Sequence, residues 1–212
     1  MSNIKSYFRQ RIFDVFRTSY FFSIFYIRTR TELPLILNRQ KLIGIGVEVG
    51  VWKGEFSDFL LKNWKGKKLY SVDPWMSFSQ EEYPDDMNIT QAEFDRIYEN
   101  VLEQLKVYKE RSAIIRKTSF NAAKEFENNF LDFVYLDGRH DYNGVKEDIA
   151  LWFPKIKKGG MLCGHDYLNG IIGNTDFGVK KAVDEFMQSK QGMKLFITDK
   201  DDYPSWFVFK NQ

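Results

Sequence analysis

The segment Val47-Glu48-Val49-Gly50-Val51-Trp52-Lys53-Gly54-Glu55-Phe56-Ser57 sets the architecture. The apolar run from Ile43 to Val49 predicts a buried strand, the glycines a tight turn, and Phe56 to Trp64 a helix. A strand passing through a glycine turn into a helix leaves free N–H groups and a positive dipole end at the turn. There the backbone can approach a ligand closely. The spacing is Gly-x-x-x-Gly, with Glu48 two residues ahead of Gly50. It does not match the G-x-G-x-x-G dinucleotide fingerprint.

The same alternation continues along the chain. Leu69 to Val72 predicts a second strand, ending at Asp73-Pro74. Residues 76–90 are polar and irregular and suit a surface loop or lid. A helix is expected from Thr90 to Tyr108, with Thr90 and Glu93 in capping-box spacing. Further strands are expected at Ala113–Arg116, at Leu131–Leu136, and from Gly159-Gly160 through Gly164. Helices are expected at Asn121–Phe126, at Val145–Phe153 before Pro154, and at Gly178–Ser189. Lys194–Thr198 and Trp206–Phe209 read as a terminal hairpin. Strands alternating with helices predict an α/β domain with a mainly parallel sheet and helices on both faces. Ligands in such sheets sit outside the carboxyl ends of the strands.

The chain has 212 residues, enough for one domain of ordinary size. Hydrophobic residues at 43% and charged residues at 28% exclude wholesale disorder. A net charge of +2 gives no global case for nucleic acid, and none is expected as a partner. The lone Cys163 excludes an internal disulfide and a four-cysteine zinc site.

The first 45 residues differ from the rest, with eight basic residues, Arg28 and Arg30 among them, against Asp14 and Glu32. Phe8, Ile12, Val15, Phe16, Ser19, Phe22 and Tyr26 recur at helical spacing. Such a helix packs on its own domain or on a second subunit, which makes a homo-oligomer the expectation. The alternative is peripheral contact with an anionic membrane surface. The charge-free stretch from Thr18 to Ile27 is shorter than the ~20 residues of a membrane-spanning helix. No secretory cleavage pattern follows, so a cytoplasmic location is expected. Residues 1–32 are therefore read as a basic aromatic helical extension and 33–212 as the main domain.

The chemistry is expected at the strand ends. Asp73 follows Gly50 by 23 residues, close to where a nucleoside-binding βαβ unit places a ribose carboxylate. By itself Asp73 reads better as a solvated turn residue before Pro74; together with the glycine turn, the spacing favours the carboxylate reading. The fourth strand ends in Leu136-Asp137-Gly138-Arg139-His140-Asp141 and the fifth in Gly164-His165-Asp166-Tyr167. The chain has two histidines, and each lies within three residues of one of these aspartates. Neighbouring strand ends would bring Asp137 and Asp166 together, and two close carboxylates require a proton or a cation between them. A divalent ion such as Mg²⁺ suits that donor set. The plainer alternative makes one aspartate a helix cap and the histidines loop polar groups.

Taken in order, these motifs resemble the class I S-adenosylmethionine-dependent methyltransferases. The similarity is to the small-molecule O-methyltransferase branch with macrocin-type sugar and, more distantly, catechol enzymes. It rests on residues 47–54, 70–75, 135–142 and 157–167 and covers roughly residues 33–210. It implies a Rossmann-like seven-stranded sheet, mostly parallel, with a C-terminal β-hairpin. It implies S-adenosylmethionine as cofactor, and Mg²⁺ in the metal-dependent members. Glu48, Gly50, Trp52, Gly54, Asp73, Thr118, Ser119 and Asp137 would face the cofactor. Within that set, Gly50 would lie under the methionine part, Asp73 on the ribose hydroxyls, and Thr118 and Ser119 near the adenine.

The resemblance further places the metal on Asp137 and Asp166 and the catalytic base at His140, with Asp137 also catalytic. The acceptor implied is a hydroxyl of a sugar, glycan or other small molecule. Two features depart from the pattern: Asp166 is flanked by His165 and Tyr167, which leaves the third metal ligand unassigned, and residues 76–90 match nothing in it. Two other classes compete. One is a nucleotide-sugar or nicotinamide-dependent Rossmann enzyme, disfavoured by the glycine spacing. The other is a non-catalytic, membrane-associated binding module using the N-terminus.

Overall fold

The computed structural model describes residues 27–79, 85 and 87–211. The helix expected over residues 8–26 lies outside them. The strands are β1 (Ile45–Val49), β2 (Lys68–Val72), β3 (Ser112–Ile115), β4 (Leu131–Leu136), β5 (Ile156–Gly164), β6 (Gly170–Ile172), β7 (Thr175–Phe177), β8 (Leu195–Ile197) and β9 (Trp206–Phe209). The helices are α1 (Leu33–Arg39), α2 (Glu55–Asn63), α3 (Gln91–Leu105), α4 (Ser119–Ala123), α5 (Tyr142–Trp152) and α6 (Val179–Gln188). Seven strands form one sheet in the order β3-β2-β1-β4-β5-β9-β8. Within this sheet β9 pairs antiparallel with β5 and β8 while the other described pairs are parallel, so the expected mostly parallel sheet with a terminal hairpin is what the chain forms.

Alternation along β4 explains the two-sided core. Phe133 and Tyr135 join Leu37, Leu60, Trp64, Trp75 and Val101 under α1–α3. Val134 and Leu136 join Val145, Ile149, Trp152 and Val183 under α5 and α6. Every residue of β4 is buried, as expected of a central parallel strand covered on both faces. The chain leaves β1 toward β2 on one side and returns as β4 on the other. This reversal opens a crevice at the carboxyl ends of β1 and β4.

Several boundaries differ from the sequence expectation. β5 begins at Ile156 rather than at Gly159-Gly160, with a register shift against β4 between Leu131 and Phe133. α3 keeps the expected capping box but ends at Leu105, and a 3₁₀ segment carries the chain to Arg111. α5 starts at Tyr142 because Asp141 caps it, accepting from Gly144 N at 2.9 Å. α1 and the β6–β7 hairpin were not expected. The hairpin did leave a signal, since Gly173-Asn174 between Ile172 and Thr175 is a two-residue turn pair.

Candidate active site

The glycine turn is held from below and from the side. Gly50 adopts φ +87°, and a Cβ there would lie 2.0 Å from the Asp137 carbonyl oxygen. Only glycine lets the turn rest on the main chain leaving β4. Gly54 has φ +77° and caps α2. Asp73 fastens the turn: its Oδ2 accepts from Val51 N at 2.9 Å and Trp52 N at 3.0 Å, and its Oδ1 accepts from Trp75 N at 2.7 Å. The fully buried Trp75 returns a bond from its indole N–H to Trp52 O at 2.9 Å. Burial pushes the Asp73 carboxyl up, against the pull of these three N–H groups and of Arg116.

Glu48 lies beneath the same turn, buried and accepting from the Ser57 hydroxyl, which in turn contacts Ser71 Oγ at 2.7 Å. Burial pushes its carboxyl up from 4.5 to about 8, with the Ser57 bond opposing. The folded state therefore binds this proton more tightly than the unfolded chain does. Stability should fall as pH rises from about 4.5 to about 8, at up to about 1.4 kcal/mol per pH unit. Glu48→Gln should flatten this dependence and be relatively more stable at pH 9, as read by denaturant unfolding at pH 6 and 9. Parallel pH profiles for the two proteins would contradict the buried proton.

The second unit is a cluster of acids and histidines at the ends of β4 and β5. One ligating atom each from Asp137, His140 and Asp166 lies within 4.8 Å of the others. His140 Nε2 is 3.2 Å from Asp166 Oδ2, and its Nδ1 is 2.9 Å from Asp85 Oδ2. His165 Nδ1 is 2.8 Å from Asp166 Oδ1 and 3.8 Å from Asp137 Oδ1. Burial works against the charged imidazole, but Asp166 and Asp85 overcome it and raise His140 to about 10. Burial also acts on Asp166, yet the two histidines hold it well below the usual carboxylate range. Asp137 is raised to about 6, first by burial and then by the Asp166 charge, with His165, His140 and Arg30 opposing.

Asp166 sits at φ +55°, a left-handed conformation that aspartate tolerates better than most residues. It turns the chain out of β5 toward the β6–β7 hairpin. Phe177 of that hairpin lies 5.1 Å from the His140 ring, and Gly178 N donates to His140 O at 2.8 Å.

The structure thus fastens Trp52 to Asp73 in the turn that holds Gly50, and brings Asp137, His140 and Asp166 together, with His140 and Asp166 in direct contact. The Gly50–Asp137 main-chain contact links the two. Thr118 and Ser119 stand beyond β3, but their side chains are committed locally. Thr118 Oγ1 caps α4, while the Ser119 hydroxyl bonds Asp148 and accepts from Trp152 Nε1 at 2.8 Å. Residues 27–32, assigned from sequence to the extension, pack against the domain: Ile27 is buried, and Lys200 N donates to Arg28 O at 2.9 Å. Sequence reasoning missed Asp85. Its loop carries no periodicity, and its partner His140 is 55 positions away.

Two uncharacterized proteins are similar in sequence. One, from Sinorhizobium fredii, is 33% identical over 72 residues, covering 34% of this chain and 8% of that protein. The other, from Acanthamoeba polyphaga mimivirus, is 28% identical over 121 residues, covering 57% of this chain and 50% of that protein. The match thus spans half or less of these relatives.

Among solved structures, the O-methyltransferase TomG of Streptomyces achromogenes in complex with SAM superposes with a TM-score of 0.60. Its identity is 10%, over 86% of this chain and 79% of that one. The Bacillus cereus O-methyltransferase in complex with SAH gives 0.56, at 12% identity over 85% and 80%. An rRNA methylase from Streptococcus thermophilus gives 0.55, at 13% identity over 84% and 97%. At these identities the likeness establishes the fold alone, and the acceptors named differ. Residues 47–167, more than half of the chain and the span that carries both units of the site, match the family described as a methyltransferase domain, and the chain belongs to that family.

Proposed function

We propose that the protein is an S-adenosylmethionine-dependent O-methyltransferase. In this reading it acts on a hydroxyl of a sugar, glycan or other small molecule, assisted by a divalent cation such as Mg²⁺. The observation that carries the reading is the juxtaposition of two units. An acid-clamped glycine turn suits an adenosyl cofactor, and directly beside it Asp137, His140 and Asp166 converge. Asp137 and Asp166 offer two carboxylates that a hard divalent cation satisfies, and the His140 imidazole nitrogen lies within 4.8 Å beside them. Burial raises Asp137 to about 6 and the Asp166 charge adds to the rise, so a cation between the two carboxylates would favour both charged forms.

When bound, the cofactor would supply an electrophilic methyl on sulfonium sulfur, and a cation, which Asp137 and Asp166 would hold, would lower the pKa of the acceptor hydroxyl. The chain has to hold the acceptor oxygen in line with that methyl and remove its proton. His140 is the proposed base. Were Asp166 to hold a cation, the ring would keep one carboxylate partner, Asp85. Asp85 then fixes the proton on Nδ1 and leaves Nε2 facing the site as acceptor. His140 Nε2 would be the atom that takes the acceptor hydroxyl's proton during methyl transfer.

The test is transfer of isotopically labelled methyl from S-adenosylmethionine to a panel of vicinal diols, with Mg²⁺ and with excess EDTA. Transfer that needs Mg²⁺ and stops with chelator is expected. Full activity in EDTA would return Asp137 and Asp166 to a structural role.

A further inference from the structure

The two ends of the sheet carry opposite charge. The carboxyl ends of β1, β2, β4 and β5 hold the acids of the candidate site. The amino ends of β1–β5 and β8, with the carboxyl end of the antiparallel β9, share the opposite rim. That rim is basic. The exposed Lys41 precedes β1, Lys65 and Lys67 precede β2, Lys109 precedes β3, Lys158 stands at the start of β5 and Lys194 precedes β8. Lys106 and Lys157 on this rim are paired, with Glu103 and Asp132, but none of those exposed lysines has an ion pair among the described residues. Glu110 and Glu127 are the acids interspersed, and they are outnumbered. The register explains Lys158. β4 and β5 pair Leu131 with Ile156 and then Phe133 with Met161, so residues 157–160 bulge from the rim. Lys157 turns in to Asp132 at 2.6 Å and Lys158 is left in solvent.

Apolar side chains stand among these lysines. Val107 is 71% exposed, Phe130 46% and Ile43 40%. Ile43 and Phe130 precede the adjacent strands β1 and β4. Phe130 is exposed on a fixed backbone. Its N–H donates to Lys155 O at 2.8 Å, and the Lys210 ammonium ties Asn129 Oδ1, at 3.1 Å, to Ile156 O, at 2.6 Å. Ile43 O accepts from Lys67 N at 3.0 Å, and Arg111 clamps the neighbouring turn through Trp64 O at 2.7 Å.

Seven strands at ~4.8 Å spacing make this rim about 30 Å wide. Lysines spread over that width do not converge on one small anion; they fit an extended negative surface. Self-association through the face would set lysine against lysine, since a two-fold contact pairs a patch with itself. A nucleic-acid groove interleaves several stacking rings, whereas Phe130 is the exposed ring here and the other exposed apolar groups are aliphatic. Aliphatic and aromatic side chains between lysines suit the headgroup boundary of a bilayer. We propose that the amino-end rim docks peripherally on an anionic membrane surface, with the lysines on lipid headgroups and Ile43, Val107 and Phe130 entering between them. The candidate site, on the opposite rim, then opens away from the bilayer toward acceptors in water. The proposal goes beyond the methyltransferase reading and stands or falls separately from it.

Co-sedimentation of the full chain with phosphatidylcholine vesicles, with and without phosphatidylserine, tests this. The wild type should partition onto the phosphatidylserine vesicles alone and come off as salt rises. Each lysine near such a surface is worth about fivefold in partitioning, so Lys65→Gln/Lys67→Gln/Lys158→Gln should weaken binding about a hundredfold. Phe130→Ser should weaken it about tenfold and make the remainder more sensitive to salt. Lys117→Gln/Lys200→Gln, after β3 and β8 on the opposite rim, should bind like wild type. The substituted rim side chains are exposed, so an unchanged thermal unfolding temperature checks that each variant is folded. A wild type that ignores phosphatidylserine overturns the proposal. So does a triple variant that binds as well as wild type, which would place the vesicle affinity on another segment. Rim-dependent binding of a single-stranded RNA oligonucleotide without vesicle binding would overturn it too and give the face to nucleic acid.

Discussion

Asp73→Ala should weaken S-adenosylmethionine binding by about a hundredfold or more. The carboxylate accepts from Val51, Trp52 and Trp75 main-chain N–H groups, so alanine leaves three donors unpaired around the glycine turn. Each bond to a charged acceptor is worth about 1.5–3 kcal/mol. The turn should loosen even before the cofactor arrives. A carboxylate offers about four lone-pair sites, so three backbone bonds still leave room for a ribose hydroxyl. Asp73→Asn, which keeps one acceptor oxygen, should fall between wild type and alanine. Calorimetric titration gives the affinities and thermal unfolding the cost to the fold. An unchanged dissociation constant in Asp73→Ala would remove the residue from the cofactor site.

His140→Ala should lower the methyl-transfer rate on the order of 10²–10⁴-fold, the range of a positioned general base, while leaving cofactor affinity near the wild-type value. Asp85→Asn offers a finer test. Asp85 and Asp166 are the groups that raise the His140 pKa, so removing one charge should lower it. A base with a lower pKa stays unprotonated to lower pH, and the acidic limb of the pH–rate profile should move in that direction. His165 contacts Asp166 and Asp137, so His165→Ala should act on metal affinity or stability more than on proton transfer. An acidic limb that survives His140→Ala and disappears in His165→Ala would exchange the two roles. One that survives in both would leave the hydroxyl to be activated without either histidine.

Residues at the ends of short apolar runs were the ones that sequence could place. Gly50, Asp73, Asp137 and Asp166 all stand there, and a parallel sheet puts such ends along one rim. The terminal hairpin was legible for a similar reason, with a polar turn between two apolar runs. Asp85 was not, because its contact with His140 depends on how an aperiodic loop folds back across 55 positions. Arg30 was visible only as one charge in a basic segment. Its position over Phe56 and beside Asp137 is set by tertiary anchoring to Asp201. Thr118 and Ser119 were placed correctly after β3. Composition could not reveal that one hydroxyl caps a helix and the other serves Asp148 and Trp152.

A structure of the protein with S-adenosylhomocysteine and Mg²⁺ would test the central assignment most directly. The account predicts the ribose on Asp73, the homocysteine sulfur above Gly50 beside Asp137, and the ion bound by Asp137 and Asp166 with His140 Nε2 at its edge. A nucleoside bound away from the β1 and β2 ends, or an ion held by other residues, would contradict it.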